Sequence, residues 1–458
     1  MKRDPPVLLT AIDAADSNAP VHAPWRRGYI DIKTKFCIAL SVSVAWLVAS
    51  TWLAIPWVRD LAQLSDWAIA VFAVGGIAIL PGFMNAFLIS SLLMDRRPPR
   101  LALREYPGIT ILVAAYNDGP SLSDTVRSIE VQRYPGPFEV LVIDDGSTDT
   151  TAEVIGGLNY TWLGFLRQPD NAGKSAALNR GLAQARFDLV VTLDADSYLH
   201  ANALTNLVER YACDPAHTRA VAGSMLVRNS RTNWITRVQE WDYFLGIAAT
   251  KRVQSMYQGT LVAQGAFSIY DRRLLLDMGG WPECVGEDIV LAWGILARGW
   301  RIGHAEDAVC FTNAPERLRL FVLQRQRWAR GMMEAFRRYP RILIVPRLST
   351  MFVWWNLFFP WLDLAYTLCF LPGIVLALFG VYWIVGIMTL ALVPLMLVMN
   401  LVMHRVGTRM FAAQGLRVRY NPVGFTLYAI AYGVVLQPAS VAGYISEVLG
   451  LRRSWGTK

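Results

Sequence analysis

Hydrophobic and polar positions divide this chain into two textures. From Phe36 to Val58 no residue is charged and nearly all are apolar (FCIALSVSVAWLVASTWLAIPWV). About 23 residues at 1.5 Å rise extend about 34 Å, enough for a helix to cross the hydrocarbon core of a bilayer. The run is too long, and starts too far from the N-terminus, for a signal peptide. A second run, Trp67 to Leu93, contains Gly75, Gly76 and Pro81, which membrane helices tolerate. The short link carries Arg59, Asp60 and Asp66, whereas the outer flanks are richer in Lys and Arg, including Arg96, Arg97 and Arg100. That asymmetry predicts that the N-terminus and the chain beyond residue 95 are cytoplasmic.

From about 108 to 310 the pattern changes. Thr110–Ala114, Glu139–Ile143 and Leu189–Leu193 are short, β-branched apolar runs, each followed by turn residues and a helical period. Buried parallel strands with crossover helices have this pattern. The expectation is an α/β domain of nucleotide-binding type. Residues 316–339 (ERLRLFVLQRQRWARGMMEAFRRY) form an arginine-dense amphipathic stretch suited to a membrane interface. Apolar sequence resumes at Met351–Val402, broken near Gly380, and again at Val423–Leu449, after a basic loop with His404, Arg405, Arg409, Arg417 and Arg419. Two spans before the domain and three after it make five, which would put the C-terminus outside. Arg452, Arg453 and Lys458 favour the inside, and Asp363 and Pro372 allow an interfacial course for 351–378. The expected organisation is a cytoplasmic segment (1–35), two spans (36–94), a catalytic domain (95–315), interface helices (316–347), about three spans (348–450) and a tail (451–458).

Composition agrees with a membrane protein. Hydrophobic residues are 54% and charged residues 17%, against about 25% charged in soluble domains, and mean hydropathy is +0.32. Disordered, collagen-like and disulfide-scaffold classes are excluded. The net charge of +9 fits cytoplasmic flanks and does not call for nucleic acid. Cys37, Cys213, Cys284, Cys310 and Cys369 show no C-x-x-C spacing and read as packing residues in a reducing compartment.

Four polar clusters fall at strand ends or helix starts, where open α/β sheets bind ligands. They are Ala115-Tyr116-Asn117-Asp118, Asp144-Asp145-Gly146-Ser147, Asn171-Ala172-Gly173-Lys174 and Asp194-Ala195-Asp196. Gly173-Lys174-Ser175 invites a phosphate-loop reading, but that pattern needs Gly at 168, where the chain has Gln168. Lys174 at a helix N-terminus still suits a phosphate through its charge and the helix dipole. Asp194 and Asp196 lie two apart on one face of an extended segment. Hard oxygen donors beside a diphosphate suit Mg²⁺ or Mn²⁺, and the five histidines show no zinc spacing.

In this order the motifs resemble the inverting family 2 glycosyltransferases with a GT-A fold. Later residues resemble the membrane-embedded polysaccharide synthases, which share spaced aspartates, T/G-E/D-D and Q-x-x-R-W. Here these are Asp145, Asp194, Asp196, Gly286-Glu287-Asp288 and Gln324-Arg325-Gln326-Arg327-Trp328. The resemblance covers about 108–340 and the flanking spans. It implies that Asp145, with Asp144, contacts the nucleotide; that Lys174 and Asp194 lie near it; and that Asp196 holds the metal. It implies Asp288 as general base with Glu287 beside it, Gln324 and Arg327 over the diphosphate, and Trp328, Gln264 and Gly265 on the acceptor side. The chemistry fits, because inversion needs one base to take the acceptor proton and cations to meet the charge on the leaving diphosphate. Taken alone, Asp288 would read as a helix-capping acid. Gln324, Arg327 and Trp328, at i, i+3 and i+4, share one helical face.

Asp118 stands where the synthases usually carry Glu, and Gly286 replaces the Thr of the cellulose and poly-N-acetylglucosamine versions, as in chitin synthases. The texts KRVQSMYQGTLVAQGAFSIYDRRLL and GEDIVLAWGI nevertheless resemble the bacterial poly-β-1,6-N-acetylglucosamine synthases more closely than the chitin synthases. The implied protein is a processive β-glycosyltransferase of the bacterial inner membrane. It would take a UDP-sugar, with UDP-N-acetylglucosamine as the expected donor, and extend a polysaccharide acceptor through a membrane channel. Membrane lipid and a small accessory membrane subunit are the other expected partners. The alternatives are a chitin, hyaluronan or β-glucan synthase, a non-processive lipid glycosyltransferase resembling ceramide glucosyltransferases, and an inactive export subunit, which the intact acidic set disfavours.

Overall fold

The structure is a computed structural model that describes residues 30–96, 101–412, 415–417 and 421–451. Arg97, Arg100, Arg419, Arg452, Arg453 and Lys458, whose charges enter the expected topology, lie outside the described residues, as does most of the segment 1–35. The first helix, Ile32–Leu64, begins ahead of the apolar run because the Asp31 carboxylate accepts from the N–H groups of Lys33 and Thr34 (2.9 and 3.1 Å). The second, Trp67–Leu93, starts the same way on Asp66, which accepts from Ala68 N at 2.7 Å. Asp66, which reads as a linker charge, is thus a helix cap, as is Asp31.

The second helix has a π-helical turn at Gly75–Ile79, where it meets the helix Thr350–Leu378. A methyl group on Gly76 would lie 2.5 Å from Ala365 Cβ, and one on Gly75 2.9 Å from the Trp361 indole, so glycine permits the close approach. Ile32–Leu64, Trp67–Leu93 and Thr350–Leu378 are each long and apolar enough to cross a membrane. The 26-residue helix Ile387–Ala412 follows. The expected single span 423–449 is instead two helices, Pro422–Ile430 and Tyr432–Val448, bent by 51°. Pro438 cannot donate to the carbonyl of Val434, which loosens the turn next to the break. The chain is a multi-pass membrane protein with a large soluble domain between its helices.

The domain is a mixed eight-stranded sheet in the order β3-β2-β1-β4-β7-β6-β8-β5. Its strands are β1 Ile109–Ala115, β2 Phe138–Asp144, β3 Leu163–Arg167, β4 Leu189–Asp194, β5 Ser197–Leu199, β6 Thr218–Val227, β7 Phe267–Asp271 and β8 Arg301–Thr312. The expected strands at 110–114, 139–143 and 189–193 are β1, β2 and β4, each a residue or two longer. β1 pairs in parallel with β2 on one side and β4 on the other, Ala115 opposite Asp144 and Ala114 opposite Asp194. Because chain order reverses around β1, its carboxyl end is where a sheet of this kind opens a crevice. Ile109, Ile111, Leu112 and Val113 are fully buried in β1, packing on both faces.

Candidate active site

A cleft of about 910 Å³ opens at those strand ends and runs under the helix Leu318–Arg338. At its floor, Asp144 and Asp145 diverge. Asp144 is fully buried; it accepts the N–H of Ser147 at 2.9 Å, and its Oδ2 lies 3.4 Å from Arg167 Nε. Asp145 lines the cleft and accepts the N–H groups of Ala172 and Gly173 (2.9 and 2.8 Å) and the Gln168 amide (2.8 Å). Gln168, which breaks the phosphate-loop pattern, therefore helps Asp145 hold the loop that leads into the helix Lys174–Gln184. Asn117, with φ +55°, accepts the Thr148 N–H at 2.9 Å and ties the end of β1 to the same floor.

Lys174 projects from that helix between two acids. Its Nζ is ion-paired to Asp194 Oδ1 and lies 4.0 Å from Glu287 Oε1. A methyl group on Gly265 would lie 3.1 Å from Lys174 Nζ and 3.7 Å from Glu287 Oε1, so a side chain there would crowd the ammonium. Gln264 beside it donates to Gly223 O at 2.6 Å, and its Oε1 is buried without a hydrogen-bond partner among the described residues. The Oε1 of Gln324, across the cleft, is orphaned in the same way. Unpaired buried acceptors of this kind cost about 1–3 kcal/mol each, and ligand hydroxyl donors would relieve them.

Asp288 sits in the first turn of the helix Glu287–Ala297, its Oδ1 accepting the N–H of Ile289 at 2.7 Å. The helix Leu318–Arg338 docks directly against this turn. Gly286 and Gly331 meet backbone to backbone: a methyl group on Gly286 would lie 2.4 Å from Gly331 Cα. Glu334 Oε2 accepts the Gly286 N–H at 3.0 Å. Gly331 lies one turn beyond Arg327 and Trp328, so this contact brings Gln324, Arg327 and Trp328 to the cleft wall with Asp288. The Gly286 that departs from the Thr of related sequences is thus a packing requirement of this chain.

Electrostatics separates the carboxylates. Burial, with Asp288 alongside, raises the Glu287 carboxyl well above the ordinary range, and Lys174 opposes the shift. Burial would lower the Lys174 ammonium, but Asp194 and Glu287 outweigh it and hold the charge on. Burial and Asp194 push Asp196 up to about 6. A carboxylate so disfavoured as an anion gains from a nearby cation, and Asp194 is already engaged by Lys174. No three His, Cys, Asp or Glu side chains among the described residues form a complete metal cage. The donor set therefore fits a hard divalent ion that takes its remaining oxygens from a bound diphosphate and water.

Of the residues singled out from sequence, Asp145, Lys174, Asp194, Asp196, Gln264, Gly265, Glu287, Asp288, Gln324, Arg327 and Trp328 line this one cleft; Asp144 does not. Sequence reasoning missed Tyr243 and Lys251. Burial lowers the Lys251 ammonium to about 7, with Asp288 pulling it back up. Its only sequence signal is a lysine just after an apolar helical stretch, which gives no hint of the cleft.

A mixed GT-A-like sheet with acidic strand ends, a Glu-Asp helix start and a capping Q-x-x-R-W helix defines a class, the membrane glycosyltransferases. The family described as "Glycosyltransferase like family 2" matches residues 107–331, the sheet domain between the membrane helices. The chain is 33% identical over 245 residues to a poly-β-1,6-N-acetyl-D-glucosamine synthase of Staphylococcus aureus (strain COL), covering 53% of this chain and 58% of that one. The corresponding synthase of Staphylococcus epidermidis is 32% identical over 238 residues, or 51% and 57%. The match thus spans less than two thirds of these curated relatives. Among solved structures, a mannosyltransferase from Pyrobaculum calidifontis in complex with GDP-Man and Mn2+ shares the fold. Its TM-score is 0.54 at 21% identity, covering 86% of this chain and 99% of that one.

Proposed function

We propose that the protein is an inverting, processive β-glycosyltransferase that polymerises a UDP-sugar, UDP-N-acetylglucosamine, at the cytoplasmic face of a bacterial inner membrane. The observation that carries this reading is the convergence of Asp288 and Trp328 with Asp145, Lys174, Asp194 and Asp196 on one cleft. The donor diphosphate lies over Lys174 and under Arg327, with Asp145 holding the loop beside the nucleotide. Asp196 is the ligand for Mg²⁺ or Mn²⁺, which supplies charge neutralisation of the diphosphate when bound. The Mn2+ held with a nucleotide-sugar by the similar mannosyltransferase supports this choice of cofactor.

The acceptor hydroxyl enters on the Trp328 side. Asp288 takes its proton as the oxygen attacks the anomeric carbon from the face opposite the diphosphate. The anomeric C–O bond breaks with its electron pair on the departing UDP, so configuration inverts. Burial holds the Glu287 carboxyl high, so Glu287 tends to keep its own proton, and Asp288 serves as the base. Lys174 and Arg327 meet the charge that develops on the leaving group. The polymer then leaves between the membrane helices, and a small membrane subunit is a further expected partner.

The test is to reconstitute the purified protein in lipid with Mn²⁺ and each common UDP-sugar, then size the product and digest it. A high-molecular-weight product from UDP-N-acetylglucosamine, cut only by a β-1,6-hexosaminidase, is the expected result. A chitinase-sensitive polymer would retain the mechanism and change the linkage. Single-sugar transfer to lipid would overturn processivity.

A further inference from the structure

Within Gln324-Arg325-Gln326-Arg327-Trp328, Arg325 does not line the cleft. It turns into the protein and is only 4% exposed. Its guanidinium centre lies 4.0 Å from the centroid of the Trp328 ring and 4.9 Å from that of Phe321. Nη2 lies 2.9 Å from Asp242 Oδ2, off the line of a hydrogen bond, and Nε has no hydrogen-bond partner among the described residues. Arg325 is therefore held by charge and stacking. A planar guanidinium stacks on an indole in a way an ammonium does not.

Asp242 opens the π-helical segment Asp242–Ala249, and this segment leads into the helix Thr250–Met256. The next residue, Tyr243, places its ring 6.4 Å from Trp328 and lines the cleft, as does Lys251 further along. Single π-turns inside helices recur at functional sites. The indole of Trp328 is 43% exposed, so one part is covered by Arg325 while the rest faces the cleft. Its orientation is thereby tied to a different segment of the chain, the one that carries two other walls of the acceptor end.

We propose that Arg325 and Asp242 are a positioning pair that fixes the plane of Trp328 and so sets the register of the acceptor sugar. The proposal rests on the acceptor-side role given to Trp328 above. Arg325 touches neither substrate; it acts through the indole. Losing either partner leaves a buried charge uncompensated, whereas losing both removes the imbalance. Losing both does not restore the stack, and this separates positioning from simple charge balance.

The experiment uses the full-length protein in lipid with UDP-N-acetylglucosamine, Mn²⁺ and a short β-1,6-linked N-acetylglucosamine oligosaccharide. The variants are Arg325→Lys, Asp242→Asn and the double Arg325→Gln/Asp242→Asn. The expected result is an acceptor KM raised at least about tenfold and a shorter product in all three, with donor KM within about twofold. The double variant should recover the thermal midpoint lost in Asp242→Asn without recovering acceptor KM. Recovery of both would overturn the proposal, as would parallel changes in donor and acceptor KM. An activity-free arm uses 5-fluorotryptophan, with the Trp328 resonance assigned by its loss in Trp328→Phe. It should shift or split in Arg325→Lys, and an unchanged resonance sinks the proposal even if the wild type proves to use another sugar. Absence of any UDP release by the wild type would instead count against the function proposed above.

Discussion

At the proposed donor end of the cleft, Asp145, Asp194 and Asp196 end or follow strands whose register is set by backbone ladders, with Ala115 opposite Asp144 and Ala114 opposite Asp194. At the proposed acceptor end, Gln324, Arg327 and Trp328 sit on one long helix that reaches the cleft only by docking. Its fixings include the Gly286–Gly331 contact, the Glu334 hydrogen bond, the Arg325–Asp242 pair and the ion pairs of Arg330 and Arg337 with Glu447. The first arrangement tolerates side-chain change because backbone holds it. The second concentrates its geometry in a few small or buried groups, so single substitutions there should misplace a whole face.

Asp288 is the proposed base, and Asp288→Asn should have the largest effect. The expected loss is about 10²–10⁴-fold in kcat, the usual contribution of a general base, with donor affinity nearly unchanged. Rapid-quench turnover and calorimetry of donor binding check it; turnover that survives would put the base elsewhere. Next comes Gly331→Ala, whose added methyl would sit 2.7 Å from Gly286 Cα. Pushing the helix back by about 1 Å should cost about 10²-fold in transfer and about 1–3 kcal/mol in stability. Normal transfer in that variant would show that the acceptor end does not depend on this contact.

The donor end has its own signature in pH. The Asp196 carboxyl is raised to about 6, so a proton competes with the cation as pH falls through that value. Apparent Mn²⁺ affinity, measured with donor present, should drop about tenfold per pH unit below 6 and level off above it. Asp196→Asn should remove the slope along with most of the affinity. The smallest effect is expected for Asp144→Asn. Asparagine still accepts the Ser147 N–H, and the lost partner Arg167 is 58% exposed. Donor KM should stay within about twofold and stability within about 1 kcal/mol; a large rise in donor KM would place Asp144 in the nucleotide site after all.

The same contrast explains how far the chain could be read unaided. Strands β1, β2 and β4 were legible from short β-branched runs, and the acids that follow them from their place at strand ends. The first two spans were legible from unbroken apolar length, although Asp66 looked like a linker charge until the helix it caps was seen. The resemblance favoured Asp145 over Asp144, but residue type alone could not separate them, because adjacent residues at a turn point to opposite sides only once the turn is built. Lys251 and Asp242 were invisible, since a lone charge beside an apolar helix is usually a solvated one. The bend between Pro422–Ile430 and Tyr432–Val448 escaped too, because hydropathy does not report a break in helix direction.

Residue type and spacing along the chain therefore decide which groups are available: carboxylates at strand ends, a lysine opening a helix, and Gln, Arg and Trp on one helical face. These are local properties, governed by periods of two and 3.6 residues and by the turn chemistry between them. Packing between distant segments decides which groups meet. Gly286 reaches Gly331 and Arg325 reaches Asp242 across 45 and 83 residues of chain, and no local period encodes such contacts. They arise because a bare glycine surface lets two backbones touch, and because a buried guanidinium must find a carboxylate and a ring.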